Sequence, residues 1–246
     1  MLRSYAIGDI HGQRDRLIGA HELIAADRAQ AGDAEAPVVH VGDYVDRGPD
    51  SRGVLDFLAQ GVDAGAPWIL LKGNHDEAMG DFLDPDLGDA DVAYWLSGNF
   101  GGRQTLASYG LGNGGSGPVA ELRAQAWQAV PEAHAVLLGG LLPSFRIGDA
   151  FFCHAGIRPG VPLDAQEEDD LIWIRDEFLL DEREHGALIV HGHTPVDAVT
   201  HYGNHLNLDT GAGYGGPVSA VVIEGRDVWL LTPDGRVAVP PQGAAA

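Results

Sequence analysis

Short apolar runs alternate with amphipathic segments at the beginning of the chain, and this order constrains the fold more than any other feature. The runs end in glycine and polar residues, as strands often do, and cover Ser4–Ile7, Pro37–Val41 and Trp68–Leu71. Between them, Arg14–Arg28 and Ser51–Gln60 repeat their apolar residues at helical spacing. A strand, helix, strand, helix, strand order predicts βαβ units and a largely parallel sheet.

Later in the chain the strands continue, but their connections change. Further strands are predicted at Ala150–Cys153, Leu188–Val190 and Leu206–Leu208. Two closely spaced strands, Ser219–Glu224 and Val228–Thr232, follow them and are joined by a short Gly-Arg-Asp turn that is typical of a hairpin. We therefore expect an α/β fold with a second, more antiparallel portion.

The middle of the chain has no strand pattern, and we interpret it as a helical insertion at about 77–142 within a single domain of residues 1–246. A G-x-G-x-x-G string at 112–117 follows a helical segment rather than a strand, so we interpret it as a linker and not as a dinucleotide site. The predicted parts are an acidic loop at Asp81–Asp91, helices at Tyr94–Tyr109 and Glu121–Leu138, a glycine-rich connection at Gly110–Pro118, an acidic loop at Glu167–Asp170 and a flexible tail at about 240–246.

The charge balance limits the partners of the chain. With 36 acidic and 15 basic residues, the formal net charge is -21, which repels nucleic acids and anionic membranes. A phosphorylated substrate would also be repelled unless bound cations supplied local positive charge. The alternative is that the charge only keeps the protein soluble. Hydrophobic residues make up 45% of the chain, which excludes disorder over most of its length.

The single cysteine and the N-terminus bear on location. Cys153 has no partner for an intrachain disulfide, and we expect its thiol to be buried and inert. The N-terminal residues lack the long apolar run of a signal peptide, and no stretch approaches 18 apolar residues. We therefore expect a cytoplasmic protein with no membrane span.

Polar clusters follow five of the predicted strands directly. Because ligands bind at the carboxyl ends of parallel strands, these clusters are expected to converge on one site. Their ligand atoms are oxygen and imidazole nitrogen, which suits Mn²⁺, Fe²⁺ or Zn²⁺. Two such ions about 3.5–4 Å apart form a common hydrolytic centre. The clusters are Gly-Asp-Ile-His-Gly at 8–12, Gly-Asp-Tyr-Val-Asp-Arg-Gly at 42–48, Gly-Asn-His-Asp at 73–76, His-Ala-Gly at 154–156 and His-Gly-His-Thr at 191–194.

This ordered set of motifs resembles the PPP-type phosphatases among the calcineurin-like metallophosphoesterases, over roughly Leu2–Ala212. The resemblance implies a β-sandwich of mixed sheets flanked by helices. It also implies two divalent cations, Mn²⁺ above Fe²⁺ or Zn²⁺, and a hydroxide that bridges them and attacks phosphorus in line. The implied ligands are Asp9 and His11 for the first cation, Asp43 as the bridge, and Asn74, His154 and His193 for the second.

The resemblance assigns the remaining roles as well. Arg47 and Arg175 are expected to bind the phosphate, since guanidinium groups donate in a planar, bidentate manner. His75, oriented by Asp46, is expected to protonate the leaving oxygen. His191 is the alternative to His193 as a ligand, and we expect it to be a supporting or core residue instead.

Two departures leave the substrate open. Asp76 stands where protein phosphatases commonly carry glutamate, which resembles the symmetrical dinucleoside tetraphosphate hydrolases. Asp46 is retained where those hydrolases typically have alanine. We therefore expect a phosphoprotein phosphatase acting on phosphoserine and phosphothreonine, with phosphotyrosine or phosphohistidine as further candidates. The alternatives are a diadenosine tetraphosphate hydrolase and, more remotely, a non-catalytic scaffold.

Overall fold

The computed structural model describes residues 2–111 and 116–243, which form two β-sheets flanked by helices. The strands are β1 (Arg3–Ile7), β2 (Val38–His40), β3 (Trp68–Leu70), β4 (Ser144–Ile147), β5 (Ala150–Cys153), β6 (Leu188–His191), β7 (Thr200–His201), β8 (His205–Asn207), β9 (Ala220–Glu224), β10 (Asp227–Thr232) and β11 (Gly235–Ala238). The helices are α1 (Arg14–Ala31), α2 (Ser51–Asp63), α3 (Asn74–Leu83), α4 (Asp89–Val92), α5 (Gly102–Ser108), α6 (Val119–Ala129), α7 (Glu132–Gly139), α8 (Glu168–Trp173) and α9 (Asp176–Leu179). Short 3-10 turns lie at Ala93–Leu96, Leu163–Ala165 and Ala212–Tyr214.

The parallel βαβ arrangement predicted for the beginning of the chain is confirmed. β1 pairs in parallel with β2, and β2 pairs in parallel with β3. α1 and α2 make the two connections. The second sheet, in the order β4-β5-β6-β8-β7, contains a further parallel core of β5, β6 and β8. Both sheets are mixed, because antiparallel strands flank each parallel core.

The predicted hairpin of β9 and β10 is confirmed, and it forms an antiparallel extension of the first sheet. β9 pairs antiparallel with β1, and the first sheet has the order β11-β10-β9-β1-β2-β3. The reason is that β9 is apolar on both faces. Val221 and Ile223 face the second sheet, whereas Ala220 and Val222 face the helices. A strand buried on both sides is stable only within a sheet that is covered on both faces.

The core lies in three layers around the two sheets. Val39 and Leu71 of the first sheet pack against Phe152 and Val190 of the second, which makes the sandwich. Alternate residues point outward to the helices, so Cys153 lies on the outer face of the second sheet. The Cys153 side chain is fully buried, and burial raises the pKa of its thiol, which fits the inert thiol that we expected.

The middle of the chain is helical, but its helices are shorter than predicted. Predicted helix Glu121–Leu138 divides at Pro131, because the residue before a proline is driven out of the helical conformation. Predicted helix Tyr94–Tyr109 consists of the 3-10 turn and α5, separated at Gly101, whose φ is +97°. The linker residues 112–115 lie outside the described part of the chain.

Both acidic segments that we expected to be loops contain helix. α3 continues to Leu83, and α4 begins at Asp89. The segment Glu167–Asp170 opens α8, with three acidic residues in the first turn. Acidic side chains stabilise a helix N-terminus by offsetting its positive partial charge. Within residues 2–111 and 116–243, no helix is long and apolar enough to cross a membrane. Of the expected tail, residues 244–246 are not described, and the Gln242 amide donates to the His201 carbonyl at 2.7 Å.

Acid should weaken the fold through His205, which is 2% exposed and stacks on Tyr202. Burial lowers the pKa of His205 to about 4, below its ordinary value of 6.5. The neutral, buried His205 ring therefore stabilises the fold fully above pH 6.5, and this stabilisation is lost as pH falls toward 4. The reason is that His205 is protonated at a higher pH in the unfolded chain than in the folded protein. In His205→Asn, the amide nitrogen can still donate to His191 Nε2, which lies 2.9 Å from His205 Nδ1.

We expect the wild type to lose about 1 kcal/mol more unfolding free energy per pH unit than His205→Asn between pH 6 and 5. Urea unfolding of both metal-free proteins at pH 6.0, 5.5 and 5.0 measures this difference. Parallel losses in the two proteins would contradict the prediction.

Candidate dimetal site

Loops from both sheets meet at one edge of the sandwich, at the carboxyl ends of the parallel strands. The loops after β1, β2 and β3 carry Asp9, Asp43 and Asn74, and those after β5 and β6 carry His154 and His193. Hydrogen bonds join the two sheets here, since His154 Nδ1 donates to the Val41 carbonyl at 2.9 Å. The convergence expected from the sequence is therefore present.

Strained backbone is concentrated at this edge. In the described part of the chain, five residues other than glycine have positive φ, and all five are site residues predicted from the sequence. Such conformations cost of order 1–3 kcal/mol each and persist where the surroundings enforce them. They are His11, Asp43, Asp46, Arg47 and His193, with φ between 45° and 72°.

Glycines bring the loops close enough for these contacts. A Cβ on Gly192 would lie 1.9 Å from Asp9 Oδ1, and a Cβ on Gly73 would lie 2.2 Å from Asp43 Oδ1. No side chain fits at either position, so the glycines in the third and fifth motifs are needed for close approach of backbone to carboxylate.

One group of possible cation ligands contains His11, Asp43 and His75, whose ligand atoms lie within 4.8 Å of one another. His11 Nδ1 donates to the Val45 carbonyl at 2.9 Å, so its Nε2 carries the lone pair. That Nε2 lies 3.4 Å from Asp43 Oδ2 and accepts from Arg47 Nη1 at 2.9 Å. The Arg47 guanidinium thus takes the lone pair that a cation would use. Burial lowers the pKa of His11 to about 3 and keeps its ring neutral.

A second group contains Asp43, His154 and His193. His154 Nε2, left with a lone pair, lies 3.4 Å from Asp43 Oδ1, 3.1 Å from Asn74 Oδ1 and 3.2 Å from His193 Nδ1. The Asn74 oxygen is 2.9 Å from His193 Nδ1. Asp43 alone belongs to both groups, with one carboxylate oxygen toward each.

The donor chemistry of these residues fits divalent cations. Lone pairs of oxygen and imidazole nitrogen face one another at about hydrogen-bond distance with too few protons to satisfy them. His193 Nε2 is buried without a partner in the described chain. Burial lowers the pKa of His193 to about 2, and the charges of His154 and Arg175 act in the same direction. Neutral imidazoles beside carboxylates are ligands that borderline divalent ions prefer.

Asp9 joins the site through a different contact. Its carboxylate accepts the backbone amide of His193 at 3.1 Å, and it lies outside the two tight ligand groups. Burial, followed by the nearby charges of Asp209 and Asp43, raises the pKa of Asp9 well above its ordinary value. Three buried carboxylates in one place repel one another, and a cation would relieve that repulsion.

Asp209 is a candidate site residue that was not predicted from the sequence. It is 2% exposed, interacts with the Asp9 side chain and accepts the Gly211 amide at 2.9 Å. Burial raises the pKa of Asp209 to about 6. Since it follows the predicted strand Leu206–Leu208 directly, the strand-end argument used for the other motifs would have found it.

His75 and Asp46 form a buried pair beside the possible cation ligands. His75 Nδ1 donates to Asp46 Oδ2 at 2.7 Å. The Asp46 carboxylate also accepts from Trp95 Nε1 at 2.9 Å and from Thr105 Oγ1 at 2.7 Å. Trp95 and Thr105 belong to the helical insertion.

The two arginines differ in their surroundings. Arg47 is half-buried, and its guanidinium lies 4.9 Å from the ring centre of Tyr214, which is 70% exposed. Arg175 is exposed at the start of α9, and its side chain makes no hydrogen bond or ion pair within the described chain. Its charge nevertheless reaches His154 and His193, whose pKa values it lowers after the larger effect of burial.

The sequence profile of the calcineurin-like phosphoesterases matches residues 2–223. The chain belongs to this family. No curated protein sequence matches the chain significantly. The match confirms the family resemblance of the motifs, and with it a phosphoesterase hydrolase with metal-binding clusters.

Solved structures confirm the two-sheet fold. One, described as a "putative diadenosine tetraphosphatase", has a TM-score of 0.57 and 24% identity over 98% of this chain and 95% of that chain. The cold-active protein-tyrosine phosphatase of a psychrophilic Shewanella species has a TM-score of 0.62 and 19% identity over 98% and 81%. A hypothetical protein from Pyrococcus horikoshii has a TM-score of 0.53 and 15% identity over 99% and 90%. These likenesses concern the fold alone.

Asp76, the residue that departs from the usual protein-phosphatase motif, points its side chain at backbone amides of the second and third motifs. Its carboxylate accepts the amides of Asp43 at 2.7 Å, Tyr44 at 2.8 Å and Gly73 at 3.0 Å. It therefore holds the second and third motif loops together. Asp76 is 1% exposed and these amides occupy its oxygens, so its carboxylate is not available to contact a substrate.

Proposed function

We propose that this calcineurin-like phosphoesterase is a phosphoprotein phosphatase that hydrolyses phosphate monoesters of serine and threonine, with phosphotyrosine as a further substrate. The observation that carries the proposal is the 2.7 Å pair of His75 and Asp46 beside the cation ligands. An alkoxide is a poor leaving group, so a monoesterase benefits from a positioned acid.

The proposal assigns two divalent cations to the clustered ligands, with Mn²⁺ as the expected metal. When bound, such cations polarise the phosphoryl oxygens and lower the pKa of a coordinated water. Asp43 is assigned as the shared ligand, since its two oxygens face opposite groups. Asp9 and His11 are assigned to the first cation, and Asn74, His154 and His193 to the second.

Arg47 and Arg175 are assigned to the phosphate. When phosphate binds, Arg47 would donate to phosphoryl oxygens instead of to His11 Nε2. Its contact with Tyr214 leaves the guanidinium at the opening of the site. Arg175 is exposed and offers its donors to a ligand entering from solvent. A guanidinium binds a phosphate in a bidentate manner, which orients the ester for attack.

In the proposed reaction, a water oxygen forms the new bond to phosphorus and releases a proton to solvent, while the ester oxygen leaves with its electron pair. His75 gives a proton to that oxygen and regains one from solvent, and Asp46 holds the His75 ring through Nδ1. The products are inorganic phosphate and the free hydroxyl of the protein side chain. No covalent phospho-enzyme forms.

A side-by-side assay of the Mn²⁺-reconstituted enzyme tests the proposal. We expect higher kcat/KM values for a phosphoserine peptide and a phosphotyrosine peptide than for diadenosine tetraphosphate. A large preference for the dinucleotide would overturn the phosphoprotein assignment in favour of a dinucleoside polyphosphate hydrolase. No hydrolysis of any substrate with Mn²⁺, Fe²⁺ or Zn²⁺ would favour the scaffold.

A further inference from the structure

We propose that Trp95 and Thr105, both from the helical insertion, are positioning residues that hold Asp46 in the orientation in which His75 protonates the leaving oxygen. This inference rests on the proposed function. It makes the insertion part of the catalytic apparatus, because its side chains complete the hydrogen bonding of a carboxylate that lies outside the insertion.

Both oxygens of Asp46 are held. Oδ2 accepts from His75 Nδ1 at 2.7 Å and from Trp95 Nε1 at 2.9 Å. Oδ1 accepts from Thr105 Oγ1 at 2.7 Å, and the same indole nitrogen lies 3.1 Å away. Without these two donors the carboxylate would keep only the His75 bond among its side-chain contacts, and its plane would be free to turn.

Thr105 also acts on the backbone of Asp46. Its hydroxyl accepts the Asp46 amide at 2.8 Å while donating to the Asp46 carboxylate, so one hydroxyl bridges main chain and side chain of the same residue. Asp46 has φ of +72°, a conformation that a residue with a side chain keeps only where contacts enforce it. Ser51 Oγ supports the arrangement at 2.9 Å from Thr105 Oγ1.

The surroundings leave these donors little room to move. Asp46, Trp95 and Thr105 are fully buried, so water does not replace a lost hydrogen bond. The Trp95 ring packs on Phe82 with centroids 4.7 Å apart. A Cβ on Gly102 would lie 2.5 Å from the indole, which shows how closely α5 approaches the ring. The insertion therefore presents both donors on a rigid, packed surface.

A positioning role predicts an effect that depends on the leaving group. Phenolate from phenyl phosphate is strongly basic and needs a proton, whereas 4-nitrophenolate leaves without one. Both substrates carry the same ring and the same phosphoryl group. A misplaced His75 should therefore slow phenyl phosphate selectively, whereas a general loss of structure should slow both substrates equally.

The experiment compares Trp95→Phe and Thr105→Val with the wild type, all reconstituted with Mn²⁺. We expect kcat for phenyl phosphate to fall about 10- to 100-fold, within the ~10²–10⁴-fold contribution of a general acid. For 4-nitrophenyl phosphate kcat should fall less than about threefold, since no proton transfer is needed. KM and bound Mn²⁺ should stay unchanged. Thr105→Ser, which keeps the hydroxyl, should restore most of the phenyl phosphate rate.

Trp127→Phe is the matched control. The Trp127 indole also belongs to the insertion and donates to the Leu83 carbonyl at 2.9 Å, away from the site. This variant should leave the rates on both substrates unchanged. Thermal unfolding of every variant shows whether the fold is retained, and if Trp95→Phe does not fold, the Thr105→Val and Thr105→Ser pair decides the outcome.

Equal losses on the two substrates, or loss of bound Mn²⁺, would overturn the positioning role of Trp95 and Thr105. So would a Thr105→Val variant with wild-type rates on both. His75→Asn in the same assay separates this failure from failure of the proposed function. If His75→Asn shows no selective loss on phenyl phosphate, His75 is not the general acid. The positioning role of Trp95 and Thr105 would then be wrong as well, because it depends on that assignment.

Discussion

An Asp43→Asn variant should lose at least about 10³-fold in kcat, which corresponds to roughly 4 kcal/mol of transition-state stabilisation. Asp43 is the residue shared by both groups of possible ligands, with its oxygens 3.4 Å from His11 Nε2 and 3.4 Å from His154 Nε2. Asparagine offers one carbonyl oxygen and no negative charge, so it serves neither group fully. The measurements are phosphatase activity across a Mn²⁺ titration and the metal content of the purified protein.

Asp63→Asn is the control for the change in charge, because Asp63 is exposed at the C-terminal end of α2, the opposite end from the one that follows the second motif. It should match the wild type in both metal content and activity. An Asp43→Asn protein that binds two equivalents of Mn²⁺ and keeps its activity would contradict the assignment of Asp43 as a shared ligand.

A His75→Asn variant should lose about 10²–10⁴-fold in kcat on a phosphoserine peptide, the usual contribution of a general acid. The loss on 4-nitrophenyl phosphate should be much smaller. His75 also lies within the first group of possible cation ligands, so metal content is a necessary second measurement. Unchanged bound Mn²⁺ identifies His75 as the acid, whereas loss of one equivalent would identify it as a ligand.

His185→Asn provides the matched control, since His185 lies on the other side of the second sheet beside Phe178. It makes the same substitution without touching the His75–Asp46 pair. We expect wild-type rates from this protein on both substrates.

Much of the site was predictable because its information is local. Each proposed ligand follows its strand within a few residues, and parallel strands bring their carboxyl ends to one edge whatever their exact order. Glycines beside the proposed ligands, such as Gly73 and Gly192, lie where the close packing leaves no room for a side chain. Asp209 also directly follows a strand, but it was not predicted because a single carboxylate after a strand is a weak signal on its own.

The fold was less predictable where the position of a strand or helix depends on the elements that pack against it. The hairpin of β9 and β10 was recognisable from its turn, but its place beside β1 depends on burial of both faces of β9. The predicted helices of the insertion are interrupted at Gly101 and Pro131, and the helical spacing of their apolar residues did not reveal these breaks. β4, β7 and β11 were not predicted, and they are edge strands of two to four residues, too short to give a clear pattern.

The sequence by itself determined the family, the class of fold and the kinds of ligand at the site, because motifs and strand patterns act over short stretches of chain. Only the tertiary structure decided that Asp76 braces two motif loops and that Trp95 and Thr105 complete the hydrogen bonding of Asp46. Trp95 lies 49 residues and Thr105 59 residues from Asp46 along the chain. Contacts of that separation depend on how the insertion packs, and no local pattern encodes the packing of one segment against another.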